Sequence, residues 1–536
     1  MGKQHYEAGS PRQLYNGIRI PADRTLFYDA DSGKAETPPY LLSPKDGGYA
    51  PDVVSVDIGR QLFVDDFLIE NSEGLERIFY SAQKSAQNPI FSPETEWELT
   101  AHPSTACTSG GIWYDKDEGI YKMWYEAGFN NRLAYATSSD GIHWERPSLN
   151  EDGSNLLLRE MRTDSFSIWI DYDAPAEERY KLMNRSPNTT GHYKFPAEMF
   201  VSADGVHWNS LGPTGIMKDR STFFYNPFLK KWIFSIRATA DVRWHEERYI
   251  PRLRFYHDGE TFAESGRWGD DEPPLWLKAD DDDQKDLTVS QEIPELYNFD
   301  SIAYESVMLG FFQMWFGPHN DDIAKTRRPK ITELQMGFSR DGFHYHRPNR
   351  QAFIAAGREY GKWDYGYLQS PTGGVIVYDD EIRIYYSGLS GQYRVGDREW
   401  IGAYLGGAVG YATLRRDGFA SMSGTGELTT KPLTFYKNAR YLFVNAKATG
   451  NLRAELSDAN GAPIEGYTAE DCDPFIGDST KIMLRWKDGA TLPDLKSIPF
   501  RIRFLLESTD LFAFWLSPTE EGASDGAMAA GYVGKN

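Results

Sequence analysis

The sequence predicts an all-β fold, a five-bladed β-propeller followed by a C-terminal β-sandwich. Aromatic residues make up 14% of the chain and Gly is frequent, while long amphipathic helical patterns are scarce, which is typical of β-proteins with many turns. An Asp-Gly-aromatic segment recurs five times along the chain. After the fifth copy a different pattern of β-segments begins, which predicts a second domain.

The recurring segment places Asp-Gly between a β-rich run and an aromatic residue. Its copies are residues 139–144, 202–208, 256–262, 339–345 and, in weakened form, 416–419. Asp-Gly is the strongest two-residue hairpin signal, so each copy predicts a tight turn between two antiparallel strands. The copies are too irregularly spaced for a solenoid, but they suit one supersecondary unit with loops of variable length. We interpret them as five propeller blades.

The elements follow in order along the chain. Residues 1–52 are rich in Pro, Gly and Asp and predict an N-terminal arm. Residues 53–424 are assigned to the propeller, in which three strands precede each Asp-Gly turn. The strands expected within residues 60–80 should close the ring by pairing with the last blade, because an unpaired edge strand favours aggregation.

The remainder of the chain predicts a smaller domain. Residues 425–518 are assigned to the sandwich. Its expected strands are residues 439–447, 452–456, 481–486, 500–506 and 511–516. The tail, residues 519–536, is rich in Gly, Ala and Ser, and we expect it to fray.

Composition limits the partners and the compartment. The chain has 57 basic and 78 acidic residues, a formal net charge of −21 that opposes nucleic acid and anionic membranes and favours a neutral or cationic partner such as a glycan. Cys107 and Cys472 are far apart on the chain, so neither a disulfide framework nor a thiolate metal site is expected. The first residues lack an apolar segment, which predicts a cytoplasmic protein, although a secreted mature form would look the same. A homo-oligomer is an open alternative.

The loops that lead into the inner strands should carry the chemistry. In a propeller these loops meet at one mouth of the channel, so residues just before the inner strands of different blades lie close together. Carboxylates stand there at Asp164 and Asp219 in blades two and three. Asp300 opens the expected inner strand of blade four, and Glu305 lies further along it. Blade one offers His102 and its neighbours but no carboxylate.

Several carboxylates at one mouth fit glycoside hydrolysis. One acid protonates the leaving oxygen, and a second attacks the anomeric carbon or activates water. Crowded like charges also raise some carboxyl pKa values, as a general acid near neutral pH requires. The structural alternative is that an Asp before a strand is an ordinary turn residue.

Further residues near the inner strands could bind substrate. Arg220 and Arg237 are candidates to orient sugar hydroxyls or to bind phosphate. Trp363 and Asp364 stand in the loop before blade five's inner strand, where an aromatic face and a carboxylate could hold a sugar ring, and Gln369 follows them. Packing is the alternative role for the tryptophan.

Two other features have structural interpretations. The run Asp280 to Asp283 lacks the alternating ligands of a calcium loop, so a solvated loop is favoured over a calcium site. His143, His207 and His344 share one position beside the repeated turn, which favours a structural role over metal binding. No metal or other cofactor is expected.

The blade pattern over about residues 55–425 resembles that of the five-bladed β-propeller glycoside hydrolases of families 32 and 43. The order of propeller and sandwich resembles family 32 in particular. That resemblance implies an acidic residue at the start of each of the first three inner strands, namely a nucleophile or base, a transition-state stabiliser and a general acid. Asp164, in Thr163-Asp164-Ser165, matches the second position, and Asp219, in Lys218-Asp219-Arg220, matches the third with Asp in place of Glu.

The first position of that pattern has no carboxylate at Thr105 or Cys107. Either the nucleophile is replaced by Asp300, Glu305, Asp364 or the Asp65-Asp66 pair, or the chain is a distant branch with different chemistry.

The resemblance implies a glycoside hydrolase that acts from the non-reducing end of a small oligosaccharide, with a furanoside such as a fructoside or arabinoside as the first choice. Asp164 would stabilise the charge on the ring, Asp219 would be the acid, and Asp300 or Glu305 the base or nucleophile. One alternative is a phosphorylase like those of family 130, which need one carboxylic acid and a basic pocket. Another is a non-catalytic glycan-binding propeller.

Overall fold

The fold is described from a computed structural model of the chain. It describes residues 5–7, 12–21, 23–25 and 37–534, apart from 188–194, 238–251, 270–272, 291–292, 319, 327, 396, 488 and 490. Five antiparallel sheets are arranged so that their inner strands contact one another around a ring. The predicted five-bladed propeller is confirmed.

Blades one to three each contain four antiparallel strands, which run in order from the innermost outward. Blade one contains Gly111–Asp115, Ile120–Ala127, Arg132–Ser138 and Leu156–Leu157. Blade two contains Ser165–Ile170, Tyr180–Arg185, Phe195–Ser202 and Asn209–Met217. Blade three contains Thr222–Asn226, Lys231–Ile236, Arg254–Gly259 and Leu275–Leu277.

Blades four and five also take strands from distant parts of the chain. Blade four contains Glu295–Glu305, Val307–Gly317 and Ile331–Ser339. Blade five contains Val375–Tyr378, Glu381–Leu389, Gly407–Arg415 and Gln83–Lys84. Thr372–Gly373 pairs in parallel with the inner strand of blade one, and Gly366–Gln369 pairs with the second strand of blade five.

Short elements lie outside the blades. Within the described ranges the helices are Phe262–Ser265 and Asn320–Thr326, with 3₁₀ turns at Pro39–Leu41, Pro44–Asp46 and Ala176–Glu178. The small hairpins are His5–Glu7 with Asp23–Thr25, Arg12–Gln13 with Arg19–Ile20, and Gln392–Val395 with Arg398–Ile401. No helix among the described residues has the length and apolar character needed to cross a membrane.

The repeated Asp-Gly turns are held by the aspartate side chain. In the first copy, the backbone N–H groups of Ile142 and His143 each donate to Asp140 Oδ1 at 2.8 Å. Gly141 has φ 74°, a left-handed conformation that a glycine adopts without strain. His143 Nδ1 lies 2.8 Å from Asp140 Oδ2, and the same pairing occurs in the second and fourth copies. These three histidines are therefore structural, as predicted.

Aromatic side chains fill the spaces between neighbouring blades. Trp113, Trp169 and Trp232, from blades one, two and three, form an edge-to-face series with centroid distances of 4.7 and 6.1 Å. Edge-to-face contacts between buried rings stabilise a core beyond their area burial. These three tryptophans thus pack at the interfaces between blades one, two and three.

The strands that close the ring differ from those predicted. Gln83–Lys84, not the strands within residues 60–80, pairs with the outer strand of blade five. Ile69–Phe79 instead forms an edge of the C-terminal sheet by pairing with Ala420–Thr430. None of its residues is buried, which suits an edge strand with a solvated face, and the chain then passes directly to blade five.

The C-terminal module is all-β, as predicted, but its strands are longer than expected. From one edge to the other, the sheet runs Phe475–Met483, Tyr441–Asp458, Phe500–Ser517, Ala420–Thr430 and Ile69–Phe79. Val54–Ser55, Gln61–Leu62 and Leu433–Thr434 add short pairings. The breaks predicted within the two long strands are β-bulges, because the register shifts there while the pairing continues.

The C-terminal tail pairs with the propeller through residues 527–533, so the expectation that it frays is wrong. Ala527–Met528 pairs with the end of blade four's inner strand, and Tyr532–Val533 pairs in parallel with blade five's inner strand. The backbone N–H of Tyr114 in blade one donates to the Ala530 carbonyl at 2.9 Å. The tail satisfies backbone groups that the inner strands leave open at one end of the channel.

Removing residues 526–536 should therefore destabilise the propeller. Each lost hydrogen bond contributes a net of roughly 0.5–1.5 kcal/mol, so the loss of several should lower the free energy of unfolding by about 2–5 kcal/mol. Urea denaturation measures the loss, and hydrogen exchange should increase at the tail-side ends of the inner strands of blades four and five. An unchanged midpoint with unchanged exchange would contradict this role of the tail.

Two residues of the acidic run, Asp280 and Asp283, and both cysteines are buried. Asp280 and Asp283 are not in a solvated loop, because Arg347 binds them at 3.2 and 2.6 Å. These carboxylates join the loop to the outer side of blade four. Cys107 and Cys472 are buried free thiols.

Candidate active site

A cavity of about 420 Å³ lies where the chain enters the inner strands of the propeller. All five blades contribute to it. The residues that line it are Phe129, Asn130, Asp164, Arg185, Pro187, Lys218, Asp219, Arg220, Arg237, Arg252, Tyr297, Lys330, Tyr367 and Tyr404. A larger cavity of about 890 Å³ lies away from the channel, between the N-terminal arm and the C-terminal module.

Asp164 immediately precedes the inner strand of blade two. Its backbone N–H donates to the Arg185 carbonyl at 2.8 Å, and its Oδ2 accepts from Arg185 Nη1 at 2.6 Å. Only 8% of the residue is exposed. Burial and the neighbouring Asp219 raise the pKa of Asp164, although Arg220 and Arg185 oppose the shift. Asp164 is therefore the carboxyl group of the cavity that more readily holds a proton.

Asp219 stands at the equivalent position before the inner strand of blade three. Its side chain pairs with Arg237 and is 34% exposed. Burial alone would raise its pKa, but Arg237, Arg220 and Arg185 together lower the pKa of Asp219 below its ordinary range. Two carboxyl groups of one cavity thus have pKa values displaced in opposite directions.

Tyr297 places a phenol at the base of the cavity. Lys330 Nζ donates to its hydroxyl at 2.6 Å, and the Tyr367 hydroxyl lies 3.3 Å from it. Burial would raise the pKa of Tyr297, but Lys330, Arg252 and Arg220 lower it to about 8. The electrostatic potential at this side of the cavity is therefore positive.

Three residues that line the cavity have left-handed backbone conformations. Asn130, Arg220 and Tyr367 have φ values of 52°, 59° and 50°. Such strain costs about 1–3 kcal/mol per residue and clusters at functional sites. At Arg220 the surroundings hold it in place, because its N–H donates to Ser165 Oγ at 2.9 Å and its carbonyl accepts from Arg254 Nη1 at 2.5 Å.

Asp300 and Glu305 are not brought to the cavity. The inner strand of blade four begins at Glu295, so Asp300 lies midway along it, where Ser370 Oγ donates to its Oδ2 at 2.7 Å. Burial raises the pKa of Asp300 to about 6. Glu305 ends the strand at the tail side of the channel, where it binds Arg416 at 3.0 Å.

Apart from the two arginines, the residues predicted to bind substrate do not line the cavity. Asp364 pairs with Lys84, and the ring of Trp363 lies 5.3 Å from that of Tyr386. His102 is exposed, and its carbonyl accepts from the Phe129 N–H at 2.9 Å, which positions a ring at the cavity rim. Of the six candidates, only Arg220 and Arg237 line the cavity.

Two buried carboxyl groups near the cavity were not predicted from the sequence. Glu126 lies in the second strand of blade one, beneath the cavity, and accepts from Thr108 Oγ1 at 2.9 Å. Burial raises its pKa to about 8 despite Arg220. Glu295 opens blade four's inner strand, binds Arg252 at 2.8 Å, and has a pKa raised to about 7 by burial. A single carboxylate at the end of the largely apolar run 120–127 is the signal that could have identified Glu126.

The remaining candidates, Gln369, Asp65 and Asp66, lie outside the cavity. Gln369 is fully buried, and both polar atoms of its side chain lack a hydrogen-bond partner within the described part of the chain. Asp65 is buried against Arg340 at 3.0 Å, and Asp66 pairs with Arg77 at 2.5 Å. Within the described ranges, no group of three or more His, Cys, Asp and Glu side chains could hold a metal ion.

The fold and the cavity define a five-bladed β-propeller with two carboxylates and a cluster of cations at one mouth of its channel. Among solved structures, the chain is similar to an N-acetylgalactosamine deacetylase from F. plautii, with 15% identity and a TM-score of 0.40 over 64% of this chain and 96% of that one. It is also similar to a family 43 arabinoxylan arabinofuranohydrolase from Bacillus subtilis, with 10% identity and a TM-score of 0.35 over 82% and 99%.

A third similar structure is a fructofuranosidase from Schwanniomyces occidentalis, with 10% identity and a TM-score of 0.36 over 82% of this chain and 98% of that one. No protein-family model and no curated protein matches the chain. The similar structures include a family 43 enzyme and a fructofuranosidase. At these identities they assign no activity, so the chemistry is argued from the cavity itself.

Proposed function

We propose that the protein is a glycoside hydrolase whose catalytic pair is Asp164 and Asp219. The observation that carries the proposal is that both carboxyl groups line one cavity and have pKa values shifted in opposite directions. Environments that separate the pKa values of two carboxyl groups assign one as the acid and the other as the base. Glycoside hydrolysis requires such a pair on either side of the scissile bond.

In this mechanism Asp164 donates its proton to the glycosidic oxygen as the bond from that oxygen to the anomeric carbon breaks. The resulting carboxylate is stabilised by Arg185 at 2.6 Å. Ionised Asp219 either attacks the anomeric carbon or takes a proton from the water that does so. This division of roles differs from the one expected from the family resemblance, in which Asp219 is the acid.

The cavity volume lies within the range of about 300–1,000 Å³ that is typical of small-ligand sites. The stacked rings of Phe129 and Tyr404, 4.6 Å apart, offer an aromatic wall for a sugar. We propose the non-reducing end of a small oligosaccharide as the substrate. The family resemblance favours furanosides, such as arabinosides and fructosides, among the neutral sugars.

A glycoside phosphorylase is the second candidate, because the cations of the cavity could bind an attacking phosphate. A non-catalytic glycan-binding propeller is the third. A panel of aryl glycosides and oligosaccharides, incubated with and without inorganic phosphate, separates the three. Cleavage without phosphate is the expected result. Sugar binding without turnover, unaffected by Asp164→Asn and Asp219→Asn, would overturn the proposed hydrolase.

The pH dependence of kcat/KM should be bell-shaped. Activity should fall as the pH drops through the lowered pKa of Asp219, which must be ionised, and as the pH rises through the raised pKa of Asp164, which must be protonated. Asp164→Asn should remove the alkaline limb from whatever activity remains. An unchanged alkaline limb in that variant would assign the limb to another group.

A further inference from the structure

The cavity is rich in cations although the chain as a whole is acidic. Six basic residues and two carboxylates line it, whereas the formal net charge of the chain is −21. The basic residues are Arg185, Lys218, Arg220, Arg237, Arg252 and Lys330. A local charge opposite to the net charge concentrates ligands of the opposite sign at that place.

Several of these cations are neutralised by carboxylates. Arg185 binds Asp164 at 2.6 Å, Arg237 pairs with Asp219, and Arg252 binds Glu295 at 2.8 Å. Arg220 and Lys330 differ, because neither has a carboxylate within 4.0 Å among the residues that the structure describes. These two side chains carry positive charge into the cavity without a direct counterion there.

Arg220 is buried with unfilled hydrogen-bonding capacity. Only 2% of the residue is exposed, its Nη1 reaches the Thr108 carbonyl at 3.4 Å, and its Nε has no partner among the described residues. The nearby carboxyl of Glu126 favours its protonated form at neutral pH, since its pKa is raised to about 8. A buried guanidinium left in this state is costly unless a ligand completes its hydrogen bonds.

Lys330 is held by aromatic residues. Its Nζ donates to the Tyr297 hydroxyl at 2.6 Å and lies 4.6, 5.3 and 5.4 Å from the ring centroids of Tyr297, Tyr367 and Tyr404. Contacts of this kind fix an ammonium group but do not neutralise it. Arg220 and Lys330 therefore provide two oriented charges in the lining of the cavity.

We infer that the substrate sugar carries an oxyanion, as a uronic acid does, and that Arg220 and Lys330 bind it. Guanidinium groups pair with carboxylates through parallel hydrogen bonds, and sulfate or phosphate esters share that chemistry. We assign the oxyanion to the sugar and not to free phosphate. Ionised Asp219 can serve as the base that activates water, so the reaction does not need phosphate as the attacking group. The kinetic test of this inference rests on the proposed function, because it requires that the protein hydrolyses glycosides.

The kinetic test compares matched substrates. The wild-type protein is assayed with both anomers of 4-nitrophenyl glucuronide and galacturonide against the corresponding glucoside and galactoside, with sulfated galactoside as a further arm. We expect kcat/KM at least about tenfold higher for an anionic member than for its neutral counterpart, since hydrogen bonds to a charged group contribute about 1.5–3 kcal/mol. Lys330→Met should reduce that preference at least about threefold while Lys45→Met, outside the cavity, leaves it unchanged.

A binding test does not depend on turnover. Isothermal titration calorimetry of the wild-type protein with glucuronate, galacturonate, glucose, galactose and inorganic phosphate should show tighter binding of a uronate than of its neutral sugar, weakening as salt is raised. Arg220→Lys, which keeps the charge, should retain more of this preference than Arg220→Met. Circular dichroism verifies that each variant is folded.

The outcomes distinguish the two proposals. Preference for a uronide or for the sulfated galactoside supports the inference, and the preferred arm identifies the oxyanion. Hydrolysis of neutral glycosides with no anionic preference would overturn it and leave the hydrolase intact. Cleavage of neutral glycosides only when phosphate is added would also overturn it. Uronate binding without any hydrolysis would support the inference and overturn the proposed function.

Discussion

Asp219→Asn is expected to lower kcat/KM by about a hundredfold to ten-thousandfold, the range that a positioned base or nucleophile contributes. The amide keeps the shape of the side chain but can neither accept a proton from water nor attack the anomeric carbon. Arg237 loses its charged partner, but the Asp219 side chain is 34% exposed, so water can replace part of that interaction. The effect should therefore be on catalysis, with the fold retained.

The measurement is kcat/KM of the variant and the wild type on whichever glycoside of the panel is cleaved fastest. The matched control is Asp173→Asn. Asp173 is an exposed carboxylate just after the end of blade two's inner strand that lies away from the cavity. That control should stay within about twofold of wild type, since surface substitutions rarely perturb a distant site. Wild-type activity in Asp219→Asn, or equal losses in both variants, would contradict the assignment.

Glu305→Ala is expected to lower the free energy of unfolding by about 3–5 kcal/mol, because it breaks a buried ion pair and leaves the cation unpaired. Glu305 is fully buried, binds Arg416 at 3.0 Å, and accepts from the Arg60 N–H at 3.0 Å and Ser524 Oγ at 2.7 Å. These contacts join the propeller to the chain before blade one and to the C-terminal tail.

Urea denaturation of the full chain measures the change. Glu70→Ala is the matched control, since that carboxylate is half exposed and 3.8 Å from Arg501, and its loss should cost no more than about 1 kcal/mol. Because Glu305 lies at the other end of the channel from the cavity, the folded variant should keep kcat/KM close to wild type. Unchanged stability combined with lost turnover would restore Glu305 as a catalytic candidate.

The repeated turn allows the fold to be predicted. Asp140 and its equivalents mark the same point in successive blades, so counting back from them locates the inner strands. That count placed Asp164 and Asp219 at one mouth, and both line the cavity. It failed for Asp300, because the inner strand of blade four begins at Glu295, and the extra residues move Asp300 below the cavity.

The cations of the cavity illustrate what the sequence does not reveal. Arg185 lies opposite Ser165 in the hairpin of blade two, so strand register alone could have placed it beside Asp164. Lys330 and Tyr404 come from loops far apart in the chain, and only the closed ring brings them together. Net charge was also a poor guide, because a sum over the whole surface does not describe the potential inside one cavity.

Ring closure was predicted in principle but not in detail. A propeller needs a partner for its last blade, and the strand nearest in sequence was the natural choice. Ile69–Phe79 has a longer partner in Ala420–Thr430, with which it pairs along nearly its whole length. The two residues Gln83–Lys84 suffice for the last blade. Local patterns do not rank competing strand partners, so the sequence alone could not make this choice.

The most direct test of the proposed acid–base pair is the leaving-group dependence of Asp164→Asn. A 2,4-dinitrophenyl glycoside needs no proton on its leaving oxygen, whereas an alkyl glycoside or a disaccharide of the same sugar does. We expect the variant to retain activity on the activated substrate within about tenfold and to lose about a hundredfold or more on the other, as for removal of a general acid. Equal losses on both substrates, or none on either, would contradict the assignment of Asp164 as the proton donor.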